Sequence, residues 1–431
     1  MHVLYVAWGF PPHRGPGTYR ALASVDHLIS RGHDVTVLTA DLAYFRVVSG
    51  SDESLLERID PRVRVVRVPF PPTYREPIIN RWPQRRAEFP NPWRDDTLAR
   101  ERLVFPENQY AFWRPRVEGA AYRIHRERPV DLVIATGNPY VDFVVPMMMN
   151  AEFGTPFVLD DRDSWVLNVY TGEPYEGSEI RQVWLEYLLD ECIETWFVNP
   201  PIADWHRRRY PDQVDKIAVV ENGWDTTFLD PGSLEHGPRE ELVFGFVGTI
   251  NTGLPLDVII DGWRQARQVG LPASAELRLY GGLGHVRASR KQELLLQSAA
   301  QDNVVHLGRW PKARIGEAYR EIDVLVFAKE GGLMVTSGKV YEYVATGKPI
   351  AGVLESRHDA RRVLADYPSV HLGDGSSPQA WAEVFLGAAA DALAADPARR
   401  ERSLEAGARF RRDRILGPAL DRVLARAESV R

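Results

Sequence analysis

Short apolar runs alternate with amphipathic stretches along almost the whole of this 431-residue chain. No other feature restricts its fold so strongly. Strands that are apolar throughout need cover on both faces, and helices between them supply it, so the pattern calls for parallel sheets of the α/β class. In the first half the runs predict strands over residues 3–7, 35–39, 63–68, 131–135, 156–160, 195–198 and 217–220. A helix with Leu22, Val25, Leu28 and Ile29 on one face separates the first two, and Gly32 stands where its end calls for a left-handed residue. A second set starts near Glu240, with strands over 242–247, 275–280, 304–307, 323–327, 349–353 and 369–372. Its helices centre on 256–267, 292–300, 339–346 and 379–394. The length exceeds one ordinary core and suits two domains. The natural linker runs from Asp230-Pro231-Gly232-Ser233 to His236-Gly237-Pro238. The expectation is two Rossmann-like domains facing a central cleft, with ligands beyond the carboxyl ends of the strands.

The rhythm fails between residues 70 and 115, a stretch rich in Pro, Arg and aromatics. A long loop or partly helical excursion is expected there. It is a surface insertion on the simplest reading; its basic, aromatic character also suits an anionic acceptor or a membrane surface, which leaves peripheral membrane contact open. Composition removes other classes. The net charge of -6 has the wrong sign for coating nucleic acid. Lysines are few and arginines many. Cys192 is the only cysteine, which excludes a disulfide framework and a cysteine-based metal site, and its apolar surroundings predict a buried structural residue. The opening apolar run is too short, and lacks the basic leader, for a signal peptide. Nothing reaches the ~20 apolar residues of a membrane span; residues 143–149 read as a core helix. A cytoplasmic location is expected.

The chemistry concentrates in Thr336-Ser337-Gly338-Lys339-Val340-Tyr341-Glu342, which follows one expected strand and opens a helix. Ser337 or Thr336 can cap that helix, Gly347 can end it and Pro349 prevents its continuation. Free amides, Gly338 and the cation Lys339 make an anion site suited to a diphosphate. Lys339 and Glu342, three residues apart, share a helix face. One can hold phosphate while the other accepts hydrogen bonds from a ribose diol. A plain surface ion pair on a capped helix is the competing reading.

This segment resembles the nucleotide-sugar site of glycosyltransferase family 4 and its relatives, retaining enzymes of the GT-B fold. Other stretches resemble the same family in the same order. Tyr5-Val6-Ala7-Trp8-Gly9-Phe10-Pro11-Pro12, Gly15-Pro16-Gly17-Thr18-Tyr19-Arg20 and Arg31-Gly32-His33-Asp34-Val35 look like its opening strand, glycine loop and second strand. Asp160-Asp161-Arg162-Asp163-Ser164-Trp165 looks like its Asp-x-Arg-Asp-x-Trp turn, and Glu221-Asn222-Gly223-Trp224-Asp225 like the signature that ends its first domain. Phe246-Val247-Gly248-Thr249 and His306-Leu307-Gly308-Arg309-Trp310 look like the turns that face the donor. The resemblance covers nearly the whole chain, and its specificity lies in the order of motifs that are individually weak.

It implies a first, acceptor-side domain over residues 1–230, a donor domain over 231–415, and a C-terminal helix over 416–431 that crosses back to the first domain. Donor-binding residues would be Gly15, Gly17, Gly248, Thr249, Arg309, Ser337, Gly338, Lys339 and Glu342. Arg20, Arg162 and Asp163 would meet the acceptor, and Asp163, Lys339 and Glu330 would carry the chemistry. The partners implied are a nucleotide-sugar donor and a sugar acceptor (glycan, lipid-linked or small molecule), with no nucleic acid. No cofactor is implied, and no metal is required to bind the donor: Asp161 and Asp163 have a metal-binding spacing, but Arg162 lies between them and they fall in the other domain. Two departures stand out. Many members carry two glutamates eight positions apart; with Glu342 the second, the first would fall at Met334, and Glu330 comes four residues early. Basic residues common after Gly248 are replaced by Thr249 and Thr252. Two other readings stay open: a phosphorylase or epimerase on the same fold, and a catalytically inactive nucleotide-binding or partner protein, which these departures make conceivable. A NAD enzyme fits less well, since Arg20 occupies the third glycine position of a dinucleotide loop.

Overall fold

The computed structural model describes residues 1–71, 73–234, 241–251, 253–284, 290–328 and 334–430. Among the described residues, thirteen strands alternate with helices. In the first half they are β1 (His2–Val6), β2 (Asp34–Ala40), β3 (Arg64–Val68), β4 (Leu132–Thr136), β5 (Phe157–Arg162), β6 (Glu194–Phe197) and β7 (Ile217–Val219). In the second they are β8 (Val243–Val247), β9 (Glu276–Tyr280), β10 (Val304–Gly308), β11 (Val324–Phe327), β12 (Ile350–Val353) and β13 (Val370–Gly373). Each expected run is a strand, and the two parallel α/β sheets agree with the expected class. The first sheet has the order β3-β2-β1-β4-β5-β6-β7 and the second β10-β9-β8-β11-β12-β13. Every ladder within them is parallel. Strand order reverses between β1 and β4 in one sheet and between β8 and β11 in the other. A ligand crevice opens at such reversals, because the loops on either side diverge over opposite faces.

Burial explains why these runs are strands. In β8, Phe244 and Phe246 join a core with Trp263 and Phe385 from helices Leu256–Val269 and Pro378–Ala394. Val243 and Val247 point to the other face, with Tyr319, Val340 and Tyr343. Two-sided burial of this kind stabilises by ~1.5–3 kcal/mol for each large side chain, and it produces the unbroken apolar run seen in sequence. The expected core helix is Val144–Phe153, with Val144, Val145, Pro146 and Met149 buried. Cys192 is 1% exposed and its thiol is pushed up to about 12 by burial, as suits a structural residue. The excursion is partly helical, with helices Gln84–Glu88 and Pro90–Val104. Arg86 lies over the rings of Trp82 and Trp93.

The chain forms two compact units: residues 1–169, 173–221 and 416–431, and residues 170–172 and 222–415. The change of unit after Glu221 lies earlier than residue 230 because the Asn-Gly-x-Asp segment is tied into the second unit. Trp224 donates its backbone N–H to the Phe410 carbonyl and its indole N–H to that of Gly407, and Arg412 meets Asp225 at 3.0 Å. Gly223 sits at φ +60, with the Phe410 carbonyl where a Cβ would approach to 2.7 Å. The expected linker beyond Leu234 lies outside the described residues, as do Thr252 and Glu330. The last helix, Arg412–Ser429, buries Leu416, Leu420, Val423 and Leu424 in the first unit. There Arg422 and Arg426 meet the buried Glu194, and Asp421 meets His27. No helix among the described residues is long and apolar enough to cross a membrane.

Candidate functional site

In the second unit the loops at the carboxyl ends of the strands converge through glycines. Gly248 follows β8 and donates its N–H to the Tyr280 carbonyl at the end of β9. A Cβ at Gly281 would fall on the Gly248 carbonyl oxygen, so only glycine admits this approach. Arg309, exposed after β10, lies against Gly282, where a Cβ would meet its Nε at 2.7 Å. Thr249 is exposed beside Gly248. Across the strand reversal, helix Gly338–Val344 follows β11. Ser337 caps it, accepting the Lys339 N–H at 3.4 Å, and Gly347 leaves it at φ +72, as expected. Tyr343 joins the two sides. Its hydroxyl accepts the Val247 N–H at 2.9 Å and donates to the Val326 carbonyl at 3.3 Å.

Lys339 and Glu342 do meet: Nζ donates to Oε2 at 2.8 Å. They are not an isolated surface pair. Lys312, from the short turn Lys312–Arg314 after β10, donates to Oε1 of the same carboxylate at 2.6 Å. Tyr319, 0% exposed on helix Ile315–Glu321, donates its hydroxyl to Oε2 at 2.6 Å. Burial works to raise the carboxyl pKa, but the charges and hydrogen bonds of the two lysines outweigh it and hold Glu342 well below the usual carboxylate range. Burial lowers the Lys312 pKa while Glu342 opposes the fall, and burial with Glu342 beside it drives the Tyr319 phenol well up. The result is an ionised carboxylate between two cations at the sheet's reversal point. Helix Gly338–Val344 has only seven residues, so the side-chain charges dominate over its dipole. Met334, where a first glutamate would stand, is a buried apolar residue at 8% exposure.

Lys312 and Tyr319 are absent from the sequence-derived set. The available signal was scarcity: in a chain that uses arginine almost throughout, Lys312, Lys339 and Lys348 lie close together in sequence. Lys348 has a different task. Buried at 8% exposure, it donates to the carbonyls of Tyr319, Arg320 and Ile322 and fixes the end of the Tyr319 helix.

In the first unit the expected residues gather at the β1/β4 reversal. Gly15 precedes helix Pro16–Ser30, and Gly17 in its first turn faces Arg162, whose Nη1 would lie 2.7 Å from a Cβ there. Arg162, at φ +62, donates from Nη2 to the Gly137 carbonyl at 2.6 Å beyond β4. His13 closes over Gly9 and Gly15, with Nδ1 2.9 Å from the Thr18 hydroxyl; burial, helped by Arg14, lowers it to about 4, so it is neutral near pH 7. Asp163 is exposed. Arg20 is placed otherwise: it is 2% exposed, pairs twice with Asp160 at 2.7 and 2.9 Å, and donates from Nη1 to the Glu221 carbonyl. All three guanidinium nitrogens are engaged inside the unit, and an acceptor contact from Arg20 requires breaking a buried ion pair. Ser164, at φ +75, holds the turn beside Asp163: its hydroxyl accepts the Leu167 N–H at 3.1 Å and lies 3.1 Å from His206 Nε2. The carboxyl of buried Asp161 is raised well above its ordinary value by burial, with Asp163 and Asp160 adding to the effect.

No protein-family model matches the chain, and no curated protein matches it significantly. Solved structures do share its fold. A glycosyltransferase from Rickettsia africae superposes with a TM-score of 0.66 at 12% identity, over 97% of each chain. Sucrose-phosphate synthase from Thermosynechococcus elongatus gives 0.64 at 14% identity over 100% of both. Anabaena HepE, solved in complex with UDP-glucose, gives 0.62 at 13% identity over 99% of both. The fold is therefore GT-B: two Rossmann-like α/β units in one chain.

Proposed function

We propose that this chain is a glycosyltransferase that takes a sugar from a nucleotide donor, with the donor held by the second unit. The observation that carries the reading is the Lys339–Glu342 pair, ionised and set at the strand reversal of the second sheet. A nucleoside diphosphate needs a cation for its phosphates and acceptors for its ribose hydroxyls at adjacent positions, and this pair supplies both. The fold shared with the Rickettsia glycosyltransferase and with HepE supports the assignment.

In the proposed reaction the bond between the anomeric carbon and the diphosphate oxygen breaks. Lys339 offsets the negative charge that develops on the leaving group, assisted by Arg309 and by the backbone N–H groups of Ser337 and Gly338; such electrostatic stabilisation lowers the barrier most where water is excluded. An acceptor hydroxyl forms the new bond on the face the leaving group vacates, so configuration is retained. Acceptor binding belongs to the first unit, where exposed Asp163 orients the hydroxyl or takes its proton and Arg162 frames it. Donor binding proceeds without a metal, on the charge of the lysines. The acceptor is a glycan, a lipid-linked sugar or a small molecule, and the enzyme works in the cytoplasm.

A thermal-shift series with UDP, ADP, GDP, TDP and their sugar conjugates tests the reading, since a ligand that binds only the folded state raises its stability. A shift with at least one nucleoside diphosphate, retained in EDTA, is expected. No shift with any of them would refute the donor site, and a shift lost in EDTA but restored by magnesium would refute the metal-free part. Proton NMR of the first-formed product reports the anomeric configuration directly.

A further inference from the structure

The cluster around Glu342 holds more cation than a static ribose-binding carboxylate requires, and its geometry assigns Lys312 a task. An ionised carboxylate has about four lone-pair sites. Here Oε2 already accepts from both Lys339 and Tyr319, while Oε1 accepts from Lys312. In this arrangement one site remains, and a ribose diol needs two. The departure of Lys339 frees a second site on Oε2. The same movement delivers the ammonium to the diphosphate, one of whose oxygens replaces the carboxylate as its partner.

Such an exchange is costly if it strands a partly buried carboxylate without a counter-charge. Lys312 removes that cost. We propose that Lys312 is the fixed counter-charge of Glu342, a positioning residue that allows Lys339 to leave for the diphosphate while Tyr319 keeps the carboxylate oriented. The two lysines reach Glu342 from different elements. Lys339 stands in the first turn of its helix, with 30% of its side chain exposed. Lys312 comes from a separate element, is 24% exposed, and has its ammonium 5.8 Å from the Phe228 ring centroid. The second cation is supplied from beyond β10 and acts through Glu342.

The inference rests on the donor site proposed above, and a double-mutant cycle separates the two. UDP, ADP, GDP and inorganic pyrophosphate serve as probes in calorimetry. Lys312→Gln should weaken the best-bound nucleoside diphosphate and pyrophosphate by about tenfold or more, the scale of one charge-assisted contact. Lys312→Arg, which keeps the charge, should restore affinity to within about threefold, a recovery that a loss of packing alone would not give. In the Glu342→Gln background there is no carboxylate to compensate, so adding Lys312→Gln should change affinity by less than about twofold. Wild-type affinity in Lys312→Gln, or an undiminished loss in the Glu342→Gln background, would overturn the role of Lys312 while leaving the donor site standing. Failure of wild type to bind any probe, or indifference to Lys339→Ala, would overturn both. If Lys312→Gln does not fold, the Lys312→Arg and Glu342→Gln proteins still decide: tenfold weaker binding by Lys312→Arg would contradict the proposal.

Discussion

His206 illustrates how a residue with no visible role in sequence supports the turn that carries a proposed site residue, Asp163. It is fully buried; its Nδ1–H donates to the Ile202 carbonyl at 2.8 Å, and Nε2 accepts from Ser164 beside Asp163. Burial, opposed by the Ile202 hydrogen bond, lowers its pKa to about 3. The unfolded chain takes up this proton near pH 6.5 and the folded chain does not, so the contribution to stability is full above about pH 6.5 and is lost as pH falls toward 3. At pH 7, His206→Gln should cost about 1–3 kcal/mol, and the gap in unfolding midpoint from wild type should shrink as pH is lowered to 4. A gap independent of pH would contradict this. Glu107 works in the opposite sense: burial, resisted by N–H bonds from Tyr140 and Val141, raises it to about 7, so its contribution is lost as pH rises. Comparing mutant with wild type at each pH cancels it. Lys339 and Glu342 were legible because a helix repeat places both on one face. Lys312 and Tyr319 were not, because their contact with Glu342 depends on where the connection from β10 to β11 lands. The burial of Arg20 likewise comes from β5, far away in sequence.

At the scale of elements, the strands were legible because burial on both faces writes an unbroken apolar run into the sequence. The order of strands is not local information, yet parallel pairing with helical crossovers leaves few alternatives. The excursion resisted a detailed reading because helix Pro90–Val104 buries few residues, Thr97 and Glu101 among them, and so carries no apolar stripe. Tyr343 is the element-scale link that matters for the site, since one hydroxyl ties the end of β8 to the helix bearing Lys339. Tyr343→Phe leaves the buried Val247 N–H without its partner and should destabilise the protein by about 1–3 kcal/mol. Nucleotide affinity should fall with it, because the Gly248 turn loses its tie to the helix that bears Lys339. Chemical denaturation and calorimetry on the same variant check both, and unchanged stability would show that the link is dispensable.

For the whole molecule, the division of labour makes separable predictions. Asp163→Asn, in the first unit, should leave nucleoside diphosphate affinity nearly unchanged and lower transfer about a hundredfold or more, the scale of a lost acid–base group. Loss of donor binding in that variant, or transfer at the wild-type rate, would contradict the assignment of acceptor chemistry to the first unit. The fold had a clear signature in motif order across the full length, whereas the donor base, the sugar and the acceptor of the proposed reaction would be chosen by local contacts that no motif spells out. The proposal that the second unit holds a nucleoside diphosphate on Lys339 stands or falls with calorimetry of UDP, ADP and GDP against wild type and Lys339→Ala. At least one should bind wild type, and Lys339→Ala should weaken it by about 1.5–3 kcal/mol; equal affinity in the two proteins, or no binding to wild type, would contradict a donor site on Lys339.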